Sequence, residues 1–177
     1  MNIVRLILDI CLLRGRAQDL PASSPLVWLT AAVSVVVDIL SMPEPRLDVA
    51  RLLYATSQVA LFGASVWGVL KLRGFPARWM QTISALYAAN ALFSLLLLPF
   101  LPALAEMVEK GPGATPGWEA YVMLALSVWF LAVMARVLRE AAELGLLASF
   151  FTSIACLAFV RFLGLLMAPL FGFSVQT

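Results

Sequence analysis

Histidine is absent from all 177 residues. Its absence removes imidazole acid–base chemistry, the serine–histidine–aspartate triad and most transition-metal sites. Cysteine occurs only twice, at Cys11 and Cys156, far apart and each inside an apolar run. No disulfide framework or zinc spacing is present, so both read as small buried hydrophobes. Charge is equally scarce. Only 12% of residues are charged, 63% are hydrophobic, and the net charge is +2. A soluble domain carries about a quarter of its residues as charges, and disorder needs low hydrophobicity with high net charge. Both classes are therefore excluded.

Catalytic signatures are missing as well. The chain has no G-x-S-x-G, no H-E-x-x-H and no phosphate-cradling loop. GPGATPG (111–117) has the glycines of such a loop but neither its lysine nor a strand–helix context. Glu106 and Glu109 stand at i, i+3 in a polar stretch and read as a solvated face rather than a hydrolytic pair. The basic residues are few and follow membrane topology, which argues against nucleic-acid binding. The chain is expected not to be an enzyme, with no catalytic or metal-binding residues and no cofactor.

What the sequence does have is long apolar runs. A helix needs roughly 20 apolar residues to cross a bilayer. Five runs approach that length, at about 26–42, 50–70, 79–98, 118–135 and 145–170. None shows the ten-residue alternation of a barrel strand. The connections are short: AQDLPASSP (17–25), PEPRLD (43–48), the basic hairpin KLRGFPAR (71–78), the longest polar loop AEMVEKGPGATPG (105–117) and the charged turn RVLREAAEL (136–144). Pro99 and Pro102 are expected to end or bend the third span. Residues 2–14 are too short and too charged to span. They predict an amphipathic helix on the membrane surface, with Arg5 and Asp9 able to pair at i, i+4. This segment is not expected to be a cleaved signal, because Arg5 and Asp9 interrupt it and no small-residue site follows. The expected fold is all-α: one integral membrane domain over 1–177, a polytopic transmembrane helical bundle of about five spans with an N-terminal interfacial amphipathic helix.

The basic residues orient this bundle. Eight of the twelve fall in three segments on one side: Arg5, Arg14 and Arg16; Lys71, Arg73 and Arg78; Arg136 and Arg139. The other side holds Arg46, Arg51 and Lys110, diluted by Glu44, Asp48, Glu106, Glu109 and Glu119. A cytoplasmic N-terminus and an exterior or lumenal C-terminus follow. Trp28, Trp79, Trp118 and Tyr121 lie near span ends, where aromatic belts anchor.

Two charges do not sort by side. Arg161 lies inside LASFFTSIACLAFVRFLGLLMAPLFG and Asp38 lies inside the first span. An intramembrane arginine costs at least a few kcal/mol unless it is paired or snorkels to the interface. At about 1.5 Å per residue, both fall roughly 20 Å from the cytoplasmic edge. Arg161 is therefore expected to pair with Asp38 or with Glu119. A structural pairing is the commoner role for such residues, and transport is the alternative. In the third span, Tyr87, Asn90 and Ser94 share one face at i, i+3, i+7. Such a face lines cavities in transporters, and more often supplies ordinary interhelical hydrogen bonds. The second span carries Tyr54, Ser57, Gln58 and Ser65. The candidate intramembrane polar cluster is Asp38, Arg161, Glu119, Tyr87 and Asn90. Small residues at Thr56, Ala60, Ala64 and Gly68, and at Gly164 and Ala168, predict packing seams or a homo-oligomer interface.

Five spans, a cytoplasmic N-terminus and a short exterior tail resemble the Yip family of small membrane proteins. LRGFPARWMQTISALYAANALFSLLLLP (72–99) and SVWFLAVMARVLREAAELGLLASFF (127–151) carry the local resemblance. It implies a five-span fold and a non-enzymatic role as membrane scaffold, trafficking or assembly factor. Such a protein acts through lipid, a membrane-protein partner or a second copy, in a bacterial inner membrane. The alternative is a small transporter or channel that uses Asp38 and Arg161.

Overall fold

The computed structural model describes residues 2–42, 48–110 and 115–171. Glu44 and Arg46, most of GPGATPG and the tail Phe173–Thr177 lie outside the described residues. The described chain folds into α1 (Ile3–Cys11), α2 (Ser24–Leu40), α3 (Val49–Leu72), α4 (Trp79–Leu97), α5 (Leu101–Lys110), α6 (Trp118–Ala142) and α7 (Leu146–Met167). Short 3-10 turns cover Ala17–Asp19, Pro76–Arg78, Leu98–Phe100 and Ala168–Phe171. No strand occurs among the described residues.

Four helical stretches are long and apolar enough to cross a membrane: Val49–Leu72, Pro76–Met107, Trp118–Ala142 and Leu146–Phe171. The first expected span, α2, is apolar but only 17 residues long. At about 1.5 Å per residue it covers roughly 25 Å, somewhat less than a bilayer's hydrocarbon thickness. Its apolar face is exposed at Trp28, Leu29, Val33, Val36 and Leu40.

The boundaries depart from the sequence reading in two places. As expected, α4 ends at Leu97, just before Pro99, but a second helix, α5, resumes at once at Leu101. Pro99 sits in the 3-10 turn and Pro102 in the first turn of α5, where a missing N–H costs little. Residues 105–110, expected as loop, are therefore helical. Residues 136–142, expected as a turn, continue α6. Arg136 and Glu140 pair at i, i+4 (3.3 Å) and support that extension. Only Glu143–Gly145 turns the chain, with Glu143 in the left-handed region (φ 52).

α4 is the central helix. It packs against α2, α6, α3 and α1, while α7 closes the ring between α6 and α3. Ile83, Leu86 and Ala89 of α4 are fully buried, with Val66 and Leu70 of α3 and Val133, Met134 and Leu138 of α6. This sealed core occupies the half of the bundle nearest the basic segments. The buried hydroxyls cost little because nearby carbonyls satisfy them. Thr30, Thr82, Ser84 and Ser153 bond back to carbonyls four residues earlier, and Ser34 reaches across to the Tyr87 carbonyl (2.9 Å).

The three basic segments meet at one end, and their contacts are specific. Arg73 donates to the carbonyls of Ala142 and Glu143. Arg78 donates to the Ala141 carbonyl and to the Glu143 carboxylate (2.9 Å). Gln18 donates to the Glu140 carbonyl, and Arg136 to the Leu13 carbonyl. Two arginines of the α3–α4 hairpin thus satisfy the last carbonyls of α6, at the negative end of its dipole.

α1 starts at Asn2, whose side chain accepts from the Val4 amide. It docks on α4 and α6 through Leu6, Ile7, Ile10 and Cys11, and the Trp129 indole donates to the Cys11 carbonyl (2.8 Å). Among the described residues the Arg5–Asp9 pair does not form. Instead, the Asp9 backbone carbonyl accepts from Arg14 and Gly15.

Two outcomes are expected. Replacing Arg73 and Arg78 together by glutamine should cost about 1–2 kcal/mol, seen as faster hydrogen exchange at the C-terminal end of α6. Burial pushes the Cys11 thiol up to about 11. At pH 8 it stays protonated, so maleimide should label Cys11 slowly in the folded protein and rapidly after denaturation.

Candidate functional site

Away from the basic end, the helices enclose a polar cavity of about 340 Å³. α2 contributes Asp38 and Ser41, α3 contributes Tyr54 and Gln58, α4 contributes Tyr87, Asn90 and Ser94, and α7 contributes Arg161. Val59, Phe62, Leu157 and Val160 complete its inner wall. Ser41, Met42, Leu97 and Leu101, at or just past helix ends, form its outer margin. Gln58 lies 9 residues into α3, roughly 14 Å from that helix's start. The cavity therefore reaches toward the middle of the bundle and stops at the sealed core.

Four of the five predicted cluster residues converge here. Asp38, Arg161, Tyr87 and Asn90 line one space, although they come from three helices. Tyr87, Asn90 and Ser94 of α4 all line it. Glu119 does not join them. It stands in the first turn of α6, and α6 contributes nothing to the cavity lining. Its place near a helix N-terminus suits a carboxylate without any intramembrane role.

Asp38 shares this space with Asn90 and Arg161. Among the ion pairs of the described residues, Asp38–Arg161 is not a direct contact. The expected pairing is thus replaced by two opposite charges facing one cavity. Arg161 is exposed and Asp38 half-buried.

Gln58 completes the site, although in the sequence nothing sets it apart from Tyr54, Ser57 and Ser65 of the same span. Its Nε2 is buried and has no hydrogen-bond partner among the described residues. The carboxamide lies flat against Gly164, where a Cβ would come within 2.7 Å of Oε1 and 2.9 Å of Nε2. Gly164 on α7 therefore exists as a seat for Gln58. The expected seam at Gly164 and Ala168 is real, and Ala168 is buried. The other expected seam is not internal. Thr56, Ala60 and Ala64 are exposed and line an apolar groove of about 950 Å³ between α2 and α3.

Tyr87 holds the cavity wall. Its hydroxyl donates to the Val59 carbonyl (2.7 Å), and its ring packs on Phe62 with centroids 6.1 Å apart. One turn along α3, Trp79 donates to the Gly63 carbonyl (3.0 Å). Gly63 must lack a side chain, because a Cβ there would overlap the Tyr87 hydroxyl.

Gly63→Ala should therefore cost about 1–3 kcal/mol by breaking the Tyr87–Val59 bond. Adding Tyr87→Phe removes the clashing oxygen. The double variant should be less destabilised than the two single effects added together, measured by unfolding in detergent. No protein-family profile matches this chain, and no curated protein or solved structure matches it.

Proposed function

We propose that this protein binds a small polar group within the membrane, as a carrier of the transporter class rather than as an enzyme. The observation that carries this reading is the polar cavity. Eight polar side chains from four helices converge there inside an otherwise apolar bundle. Placing Asp and Arg at such a depth is costly, and residues so placed mark solute or ion pathways. An orphaned amide such as Gln58 Nε2 costs about 1–3 kcal/mol, a cost that a bound acceptor offsets. The cavity is closed toward the basic end by the packed core. With the basic segments cytoplasmic, the site faces the exterior or lumen, and a change of conformation would release its contents inward.

The charges also narrow the ligand. One carboxylate and one guanidinium face the same space. A ligand of a single sign would leave one of them uncompensated at low dielectric. A zwitterion satisfies both: its anionic group against Arg161 and Gln58, its amine against Asp38.

A second reading is the scaffold or assembly role of a Yip-like protein in a bacterial inner membrane. It is supported by the exposed small-residue face of α3, which suits a partner helix or a second copy.

The test is a thermal-shift panel on the detergent-purified protein with amino acids, phosphoethanolamine, simple carboxylates and simple amines. Zwitterions should raise Tm most. Arg161→Gln and Asp38→Asn should each weaken binding by tenfold or more, about 1.4 kcal/mol or above. Wild-type affinity retained in both variants would sink the carrier reading and leave the scaffold.

A further inference from the structure

The polar cavity and the apolar groove are neighbours across a thin wall. Val59 and Tyr87 line both. α2 and α3 contribute to both as well, with Asp38 and Gln58 turned to the cavity and Val36 and Ala60 turned to the groove. The two spaces differ sharply in chemistry. The cavity has a carboxylate, a guanidinium and an unpartnered amide. The groove is lined almost wholly by carbon. Of its aromatic members, Trp79 and Tyr87 have spent their polar atoms on the carbonyls of Gly63 and Val59, while Trp28 and Trp67 stand exposed at its margin.

We propose that the ligand is an amphiphile with a zwitterionic head, seated across the α2–α3 edge with its head in the cavity and an acyl chain in the groove. The proposal rests on the carrier reading and specifies its substrate class as an aminophospholipid-type molecule. Three features support it. The head site matches an anion and an amine together. The groove runs along α3 from Leu52 to Trp67, about 22 Å at about 1.5 Å per residue, long enough to take an acyl chain that fills the roughly 15 Å hydrocarbon depth of one leaflet. The groove also opens laterally, since Thr56, Ala60 and Ala64 are exposed, so a lipid enters from the bilayer without crossing water. A small solute would leave the groove without a purpose, and a partner helix would leave the cavity without one.

The test uses the intact protein in nanodiscs and in detergent. Native mass spectrometry compares retention of phosphatidylethanolamine with phosphatidylglycerol, and thermal shift reads soluble phosphoethanolamine. The wild type should retain phosphatidylethanolamine at least tenfold over phosphatidylglycerol. Ala60→Phe fills the groove from its exposed side. It should lower that retention about tenfold and leave the phosphoethanolamine shift unchanged. Ala64→Phe serves as the second variant if Ala60→Phe folds poorly. Arg161→Gln should reduce both signals.

If phosphoethanolamine binds but groove-filling leaves lipid retention intact, or if both lipids are retained equally, the amphiphile is wrong and the polar-solute carrier stands. If neither lipid nor phosphoethanolamine responds to Arg161→Gln, the carrier reading falls with it. A dimer dissociated by Ala60→Phe would show that a second copy covers the groove, and would overturn the lipid occupant.

Discussion

Lipid offers no hydrogen bonds, and that constraint organises this structure. A polar group inside the bilayer must find its partner within the protein. The chain meets the demand first by folding into helices, which close their own backbone bonds. It meets it again with side chains: Thr30, Thr82, Ser84 and Ser153 turn their hydroxyls onto their own helices, and Ser34, Trp79 and Tyr87 bond to carbonyls across helix contacts. Against that background, a buried amide left without a partner at Gln58 is conspicuous. So is a pair of opposite charges facing a cavity instead of each other.

The two ends of the bundle answer the constraint differently. At the basic end, arginines are structural. Arg73 and Arg78 come from one hairpin and close the terminal carbonyls of α6, while Arg136 and Gln18 tie down the chain that follows α1. Basic residues clustered at one end thus hold the helices together there. Toward the other end, packing gives way to the polar cavity. Sealed core and open cavity lie in series along the same helices.

Between the cavity and the apolar groove stands a partition one residue thick. It depends on small things: the absence of a side chain at Gly63, the bond from Tyr87 to Val59, and the contact of Tyr87 with Phe62. A partition with water-like chemistry on one side and oil-like chemistry on the other is suited to a molecule that has both. The groove's small residues were legible as a stripe, but a stripe does not say which way it faces. Thr56, Ala60 and Ala64 turn out of the bundle, whereas Gly164 turns in to seat Gln58.

The sequence by itself determined the solvent and the class of fold. Apolar runs of span length permit only helices in lipid, and the sorting of eight basic residues marks one end. It also singled out Asp38, Arg161, Tyr87 and Asn90, because intramembrane charge and a helical polar face are local properties that spacing reveals. The tertiary structure decided the rest. Whether Arg161 meets Asp38 directly, why Glu119 stands apart and why Gln58 matters all depend on which helices adjoin. Adjacency is set by packing between segments distant in sequence, where no period in the chain records it. The helix that resumes at Leu101 and the extension of α6 to Ala142 have the same origin. Proline at a first turn and capped carbonyls remove the costs that local signals had charged against them.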